Sequence, residues 1–169
     1  MCYRLVKGDT LMRKVLTDAE AGLSALAGLE EVDSQRIGLL GHSYGGNTVL
    51  FQAALDTRVK FACISGAVCS YSQRIAQGTG IEMAEVLPSA LQRFEIDDLL
   101  RLISPRHALV VSATADKYSH DADVMVGKAS PAFSTNPDAL QHQRYEGGHP
   151  LTAERAQAIA AWVVRVSGA

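Results

Sequence analysis

The chain has 169 residues, 47% hydrophobic and 20% charged, close to the modal size of one domain and long enough to bury a core. Its formal net charge is −2, without a lysine or arginine cluster, so nothing electrostatic points to nucleic acid or anionic lipid as a partner. There is neither an apolar stretch of about 18 residues nor a basic segment leading into a long apolar one, so no membrane span or export signal is expected, and the expected location is cytoplasmic. The cysteines, Cys2, Cys63 and Cys69, lack the paired spacing of a disulfide framework or zinc site, and Cys63 reads as core.

In chain order, residues 1–14 read as a short tail and residues 15–29 as an amphipathic helix with Leu16, Ala19, Leu23 and Leu26 at helical spacing. The run Arg36-Ile37-Gly38-Leu39-Leu40 predicts a first strand over 36–41. It leads into Gly41-His42-Ser43-Tyr44-Gly45, a G-x-S-x-G pentapeptide, and then into an apolar helix over 45–55. A strand that turns sharply into a helix strains its turn residue, and small residues two before and two after let the backbones pass. Gly41 and Gly45 meet that demand, which makes Ser43 the candidate nucleophile.

A second strand is predicted over 60–66, then a region of weaker pattern with a glycine break at Gln77-Gly78-Thr79-Gly80 and a helix over 81–93. The apolar run Ala108-Leu109-Val110-Val111 marks a strand over 107–113, with Asp116 just beyond it. A helix over 121–129, a polar connection over 130–137, a strand over 141–146 and a helix over 152–166 complete the pattern. His149, in Glu146-Gly147-Gly148-His149-Pro150, lies between the last strand and helix.

Strands alternating with helices imply an α/β fold, a parallel sheet of about four strands with helices on both faces, in one domain spanning 1–169. Ser43, Asp116 and His149 follow the order that this type of turn predicts, and each comes after a strand. They should therefore gather at the carboxyl edge of the sheet, where open α/β sheets place their chemistry. Asp121 and Asp123 are rival acids, although their position suits a helix amino terminus, where carboxylates meet free N–H groups. His42, His107, His120 and His142 lack the context of His149 and read as surface or packing residues.

Four segments give the chain a specific resemblance to the α/β-hydrolase family, above all its dienelactone-hydrolase-like, acetyl-xylan-esterase-like and prolyl-oligopeptidase-like branches. Residues 32–46 resemble the nucleophile elbow with its strand, and 103–111 with Thr114-Ala115-Asp116 resemble the approach to the acid. Tyr145-Glu146-Gly147-Gly148-His149 resembles the histidine loop, and 152–166 the terminal helix. The resemblance implies a Ser43, Asp116, His149 triad, an oxyanion held by the backbone N–H of Tyr44, and no metal or organic cofactor. It also places a cap-like insertion around 67–102, whose Ile81, Met83, Val86, Leu87, Leu91 and Phe94 either line an acyl pocket or pack a helix on the sheet.

The family domain carries further strands before its elbow, whereas only 35 residues precede this one's first strand. The expectation is thus a carboxyl-terminal half of the fold, without the loop that supplies a second oxyanion donor, a loss of about 3–4 kcal/mol in transition-state stabilisation. The outer edge of strand 36–41 would be bare, and bare edges invite association, so a homodimer through that edge and the first helix is expected. The leading functional expectation is a serine carboxylic-ester hydrolase acting on small or short-chain acyl esters through an acyl-enzyme. The alternatives are a peptidase or lactone hydrolase with the same triad, and an inactive truncated scaffold or half of a split hydrolase.

Overall fold

Among the residues that the computed structural model describes, 2–168, the chain runs α1 (Cys2–Val6), α2 (Leu11–Ala27), β1 (Gly38–His42), α3 (Tyr44–Leu55), β2 (Phe61–Ser65), α4 (Tyr71–Ala76), α5 (Ile96–Ile103), β3 (His107–Ala113), α6 (Ala122–Ala129), β4 (Leu140–Tyr145) and α7 (Ala153–Ser167). Met1, the first residue of the expected tail, and the Cys2 side chain lie outside the described residues. The strands pair in parallel in the order β1-β2-β3-β4.

Alternation along the strands divides the core in two. Ala62, Ile64, Ala108 and Val110 face a large cluster built with α2, α3, α5 and α6, whereas Phe61, Cys63, Leu109 and Val111 meet Ile159 and Trp162 of α7. Trp162 stands edge-on to Phe61 at 5.9 Å. Because β2 is covered on both faces all five of its residues are buried, and such strands read as continuous apolar runs. The outer strands differ: β4 carries Gln141, His142, Gln143 and Arg144, and Leu40 of β1 is 63% exposed.

Caps explain most differences from the predicted boundaries. The first long helix starts at Leu11, inside the expected tail, because the Thr10 side chain accepts the Arg13 N–H and satisfies a donor that would otherwise be orphaned. It ends at Ala27, where the Gly28 N–H bonds back to Ser24 and Ala25. The first strand begins two residues later than expected, since Ser34–Arg36 form a 3-10 turn capped by Asp33.

The cap-like region departs most from the prediction. No continuous helix covers 81–93; Met83–Glu85 and Ala90–Gln92 are separate 3-10 turns, divided by Pro88, which pushes the residue before it into extended backbone. The helices lie on either side of this segment: α4 is capped by Ser70, and α5 opens with a reciprocal capping box between Glu95 and Asp98. The connection over 130–137 contains a 3-10 turn, Ser130–Phe133, and leads into another, Pro137–Ala139.

Candidate active site

The parallel order brings the carboxyl ends of all four strands to one edge, and the residues just beyond them form the site. Ser43 leaves β1 with φ 57° and ψ −125°, a backbone conformation that costs an L-residue about 1–3 kcal/mol and persists only where its surroundings enforce it. Packing supplies that enforcement. A Cβ on Gly41 would lie 2.2 Å from the Gly45 carbonyl oxygen, and one on Gly46 would lie 2.8 Å from both Ala67 Cβ and the Ser65 oxygen. Gly45 has nothing within 4 Å of the equivalent position, so the second steric demand falls on Gly46 and not on Gly45, as the pentapeptide suggests.

The three predicted residues meet. Ser43 Oγ lies 2.8 Å from His149 Nε2, and His149 Nδ1 lies 3.0 Å from Asp116 Oδ1. Asp116, 2% exposed, also accepts the Tyr118 N–H at 3.0 Å and the Ser119 hydroxyl at 2.8 Å, so the carboxylate is fixed by three partners. Tyr44 is the first residue of α3, where a backbone N–H has no intrahelical acceptor and is free for a developing anion.

Arg155 of α7 holds the histidine loop. Its buried guanidinium donates to the carbonyl oxygens of Glu146, Gly148 and Pro150 at 3.1, 2.8 and 2.9 Å. On the facing side the Ala115 N–H reaches the Gly147 oxygen at 2.9 Å, which ties the acid loop to the histidine loop. Gly66, with φ 60°, forms the floor: a Cβ there would lie 3.0 Å from His42 Cε1, 3.1 Å from His149 Cε1 and 3.3 Å from Asp116 Oδ2.

The rival acids are engaged elsewhere. Asp121 stands at the helix start but does not cap it; it accepts the Ser70 N–H and hydroxyl at 3.0 and 2.6 Å. Asp123 pairs with Arg144 at 3.5 Å. His120 is exposed and His107 partly buried, in keeping with the reading made of them. His142 Nε2 lies 2.7 Å from Ser112 Oγ, but Ser112 is 2% exposed inside β3, so this second Ser-His contact is packing.

His42, read from the sequence as a surface or packing residue, lies beside the three candidates. Its ring centre is 4.8 Å from that of His149, and its Nδ1 is 2.9 Å from Ser65 Oγ. The available signal was its place at the carboxyl end of β1, directly before the nucleophile. Burial, then the neighbouring His149, lowers the His42 pKa from its ordinary value. The buried thiols are inert by comparison: burial pushes Cys63 up to about 12, and burial with Asp121 nearby pushes Cys69 up to about 11, so neither offers a thiolate near neutrality.

Of the cap-like residues, Ile81, Leu87 and Phe94 pack against the main core, and Met83 is exposed. Phe94 packs edge-on to Phe51 and Tyr71 at 6.1 and 6.0 Å, a core role. Ile81, Val86, Leu87 and Leu91 line a cavity of about 340 Å³, and Ser43, Asp116 and His149 are not among its walls. Among the described residues, no three or more His, Cys, Asp or Glu side chains are grouped to hold a metal ion.

A glucuronoyl esterase from Solibacter usitatus superposes with a TM-score of 0.74 at 18% identity, over 91% of this chain and 48% of that one. A carbohydrate esterase family 15 glucuronoyl esterase from Caldicellulosiruptor kristjansonii gives 0.70 at 18% identity, over 88% and 48%. Acetyl xylan esterase 1 from Thermoanaerobacterium sp. JW/SL YS485 gives 0.61 at 15% identity, over 89% and 52%. At these identities the likeness is one of fold, and the chain spans about half the length of each of these structures. No curated protein matches it in sequence. Residues 5–94, more than half of the chain, match the family model for acetyl xylan esterase, and the chain belongs to the acetyl xylan esterase (AXE1) family.

Proposed function

We propose that the chain is a serine carboxylic-ester hydrolase that cleaves small or short-chain acyl esters through Ser43, His149 and Asp116. The observation that carries this reading is the continuous hydrogen-bonded line from Ser43 Oγ through His149 to Asp116, at 2.8 and 3.0 Å, starting from a strained turn. A serine hydroxyl is a poor nucleophile near neutrality and needs a base within reach. His149 Nε2 takes the hydroxyl proton as Ser43 Oγ bonds to the ester carbonyl carbon, and the Tyr44 N–H faces the resulting oxyanion. Asp116 accepts from Nδ1–H and stabilises the imidazolium.

Collapse of the tetrahedral intermediate breaks the bond to the alcohol, which leaves with the proton from His149. The acyl group is then on Ser43. A water molecule gives its proton to Nε2 and attacks the acyl carbon, the bond to Ser43 Oγ breaks, and the serine recovers its proton as the acid departs. The family and the named esterases of similar fold favour an ester over a peptide bond, with acetyl esters of carbohydrate as the first natural class to try.

The test compares the purified chain with Ser43→Ala on p-nitrophenyl acetate and butyrate. Turnover that disappears in the variant is expected; equal rates in both would overturn the reading. We propose as well that a second copy pairs along the outer edge of β1, where Leu40 is 63% exposed and the strand has no hydrogen-bonded neighbour among the described residues.

A further inference from the structure

The imidazole of His149 has to keep Nδ1 on Asp116 and Nε2 on Ser43 at once, so any swing about its Cβ–Cγ bond breaks the line. Tyr118 limits that swing from one side, its ring edge-on with centres 4.9 Å apart. His42 limits it from another, with ring centres 4.8 Å apart and planes 33° from parallel. Both histidines rest over Gly66, where a Cβ would meet Cε1 of each ring.

The His42 ring is itself anchored by Ser65, whose hydroxyl lies 2.9 Å from Nδ1. The carbonyl oxygen of the same residue accepts the Ser43 N–H at 2.8 Å. One residue at the end of β2 thus holds both the nucleophile's backbone and the ring that flanks the base. We propose that His42 is a positioning residue, which keeps the His149 imidazole in line between Ser43 and Asp116 by flanking its ring while tethered to Ser65. This inference rests on the triad reading above.

Charge supports the assignment. Facing His42 are the His149 ring and Arg155, which oppose its protonation, and Asp116 and the His149 backbone, which favour it. Burial, the largest influence, lowers the His42 pKa, which favours a neutral ring and so disfavours a like charge beside the imidazolium of the proposed mechanism.

Three variants separate positioning from simple packing. His42→Ala removes the ring, His42→Phe keeps an aromatic ring without the tether, and Ser65→Ala keeps the histidine and unties it. For His42→Ala, kcat on p-nitrophenyl acetate should fall about 10- to 100-fold with KM within about twofold, as expected for a displaced base. His42→Phe should recover to within about fivefold of the parent. The second readout needs no turnover: the proton NMR resonance of His149 Nδ1–H on Asp116 should broaden in His42→Ala and stay sharp in the parent.

A folded His42→Ala with parental kcat and a parental His149 resonance would overturn the proposal. Should His42→Ala fail to fold, Ser65→Ala decides. A lower kcat with a broadened resonance supports the proposal, and parental behaviour in both overturns it. A parent that hydrolyses no ester, yet shows the sharp resonance that His42→Ala broadens, would sink the esterase reading and leave the positioning of His149 by His42 standing.

Discussion

Gly66→Ala puts a methyl group at the point where His42, His149 and Asp116 converge. The backbone there has φ 60°, and alanine in the left-handed region costs about 1–2 kcal/mol, offset by about 0.4–1 kcal/mol through lost freedom in the unfolded chain. The net backbone cost is about 1 kcal/mol, a shift of roughly 2–4 °C in Tm for a chain of this size. Gly78→Ala carries the same backbone cost, with φ 64° and nothing within 4 Å of the new Cβ. Gly66→Ala adds the packing cost of its close contacts, so it should unfold at or below the temperature of Gly78→Ala.

They should differ in catalysis. At Gly66 the new methyl would stand 3.0–3.3 Å from His42, His149 and Asp116, so those groups must give way by a few tenths of an ångström. With a 1 Å misplacement costing about a hundredfold, kcat/KM for p-nitrophenyl acetate should fall by roughly three- to tenfold in Gly66→Ala and stay near the parental value in Gly78→Ala. Equal kcat/KM in the two folded variants would refute the reasoning, because it would mean that the contacts at Gly66 do not govern the alignment of the base.

The Arg74–Glu85 pair, 2.6 Å apart with side chains 2% and 1% exposed, joins α4 to the Met83–Glu85 turn within the cap-like region, and Asn47 of α3 donates to the same carboxylate oxygen at 2.9 Å. Arg74→Met strands a buried carboxylate and should cost about 3–5 kcal/mol in urea unfolding, whereas Arg74→Met with Glu85→Leu should cost less than Arg74→Met alone; a single-variant loss below about 1 kcal/mol would contradict this. His42 and His142 have pKa values lowered mainly by burial, so as pH falls the unfolded chain takes up protons first, near pH 6.5. The stability they contribute is whole above that pH and drains away below it, and Tm should drop from pH 7.5 to 5.5 with a shallower slope in His142→Asn; an unchanged slope would remove His142 from the account. Sedimentation at micromolar concentration checks the proposed dimer, and a well-folded monomer there would sink it.

Sequence periodicity sufficed for elements whose pattern is set by burial on both faces. His107–Ala113 of β3 is matched to the residue, and β2 and α3 to within one residue at each end. Such segments are continuous apolar runs because neighbours cover them from both sides. That the candidates Ser43, Asp116 and His149 come together could be expected for a related reason: each sits just past a strand, and a parallel sheet aligns those ends without any knowledge of side-chain contacts.

The cap-like region was not legible, since Pro88 breaks a pattern whose apolar residues suit a helix, while the polar caps Ser70, Glu95 and Asp98 that start α4 and α5 carry no periodicity. His42 escaped for a tertiary reason. The proposed role depends on a ring 107 positions later in the chain coming within 4.8 Å, and on the glycine of a different strand's end leaving room for both. The sequence alone determined the order of strands and helices along the chain and singled out three candidate residues just past strand ends, because local pattern dictates the elements and parallel pairing aligns their carboxyl ends. Only the tertiary structure decided that Gly46 and not Gly45 bears the steric demand, and that His42, Arg155 and Gly66 surround His149 and its loop, because close packing between distant segments leaves no mark on local spacing.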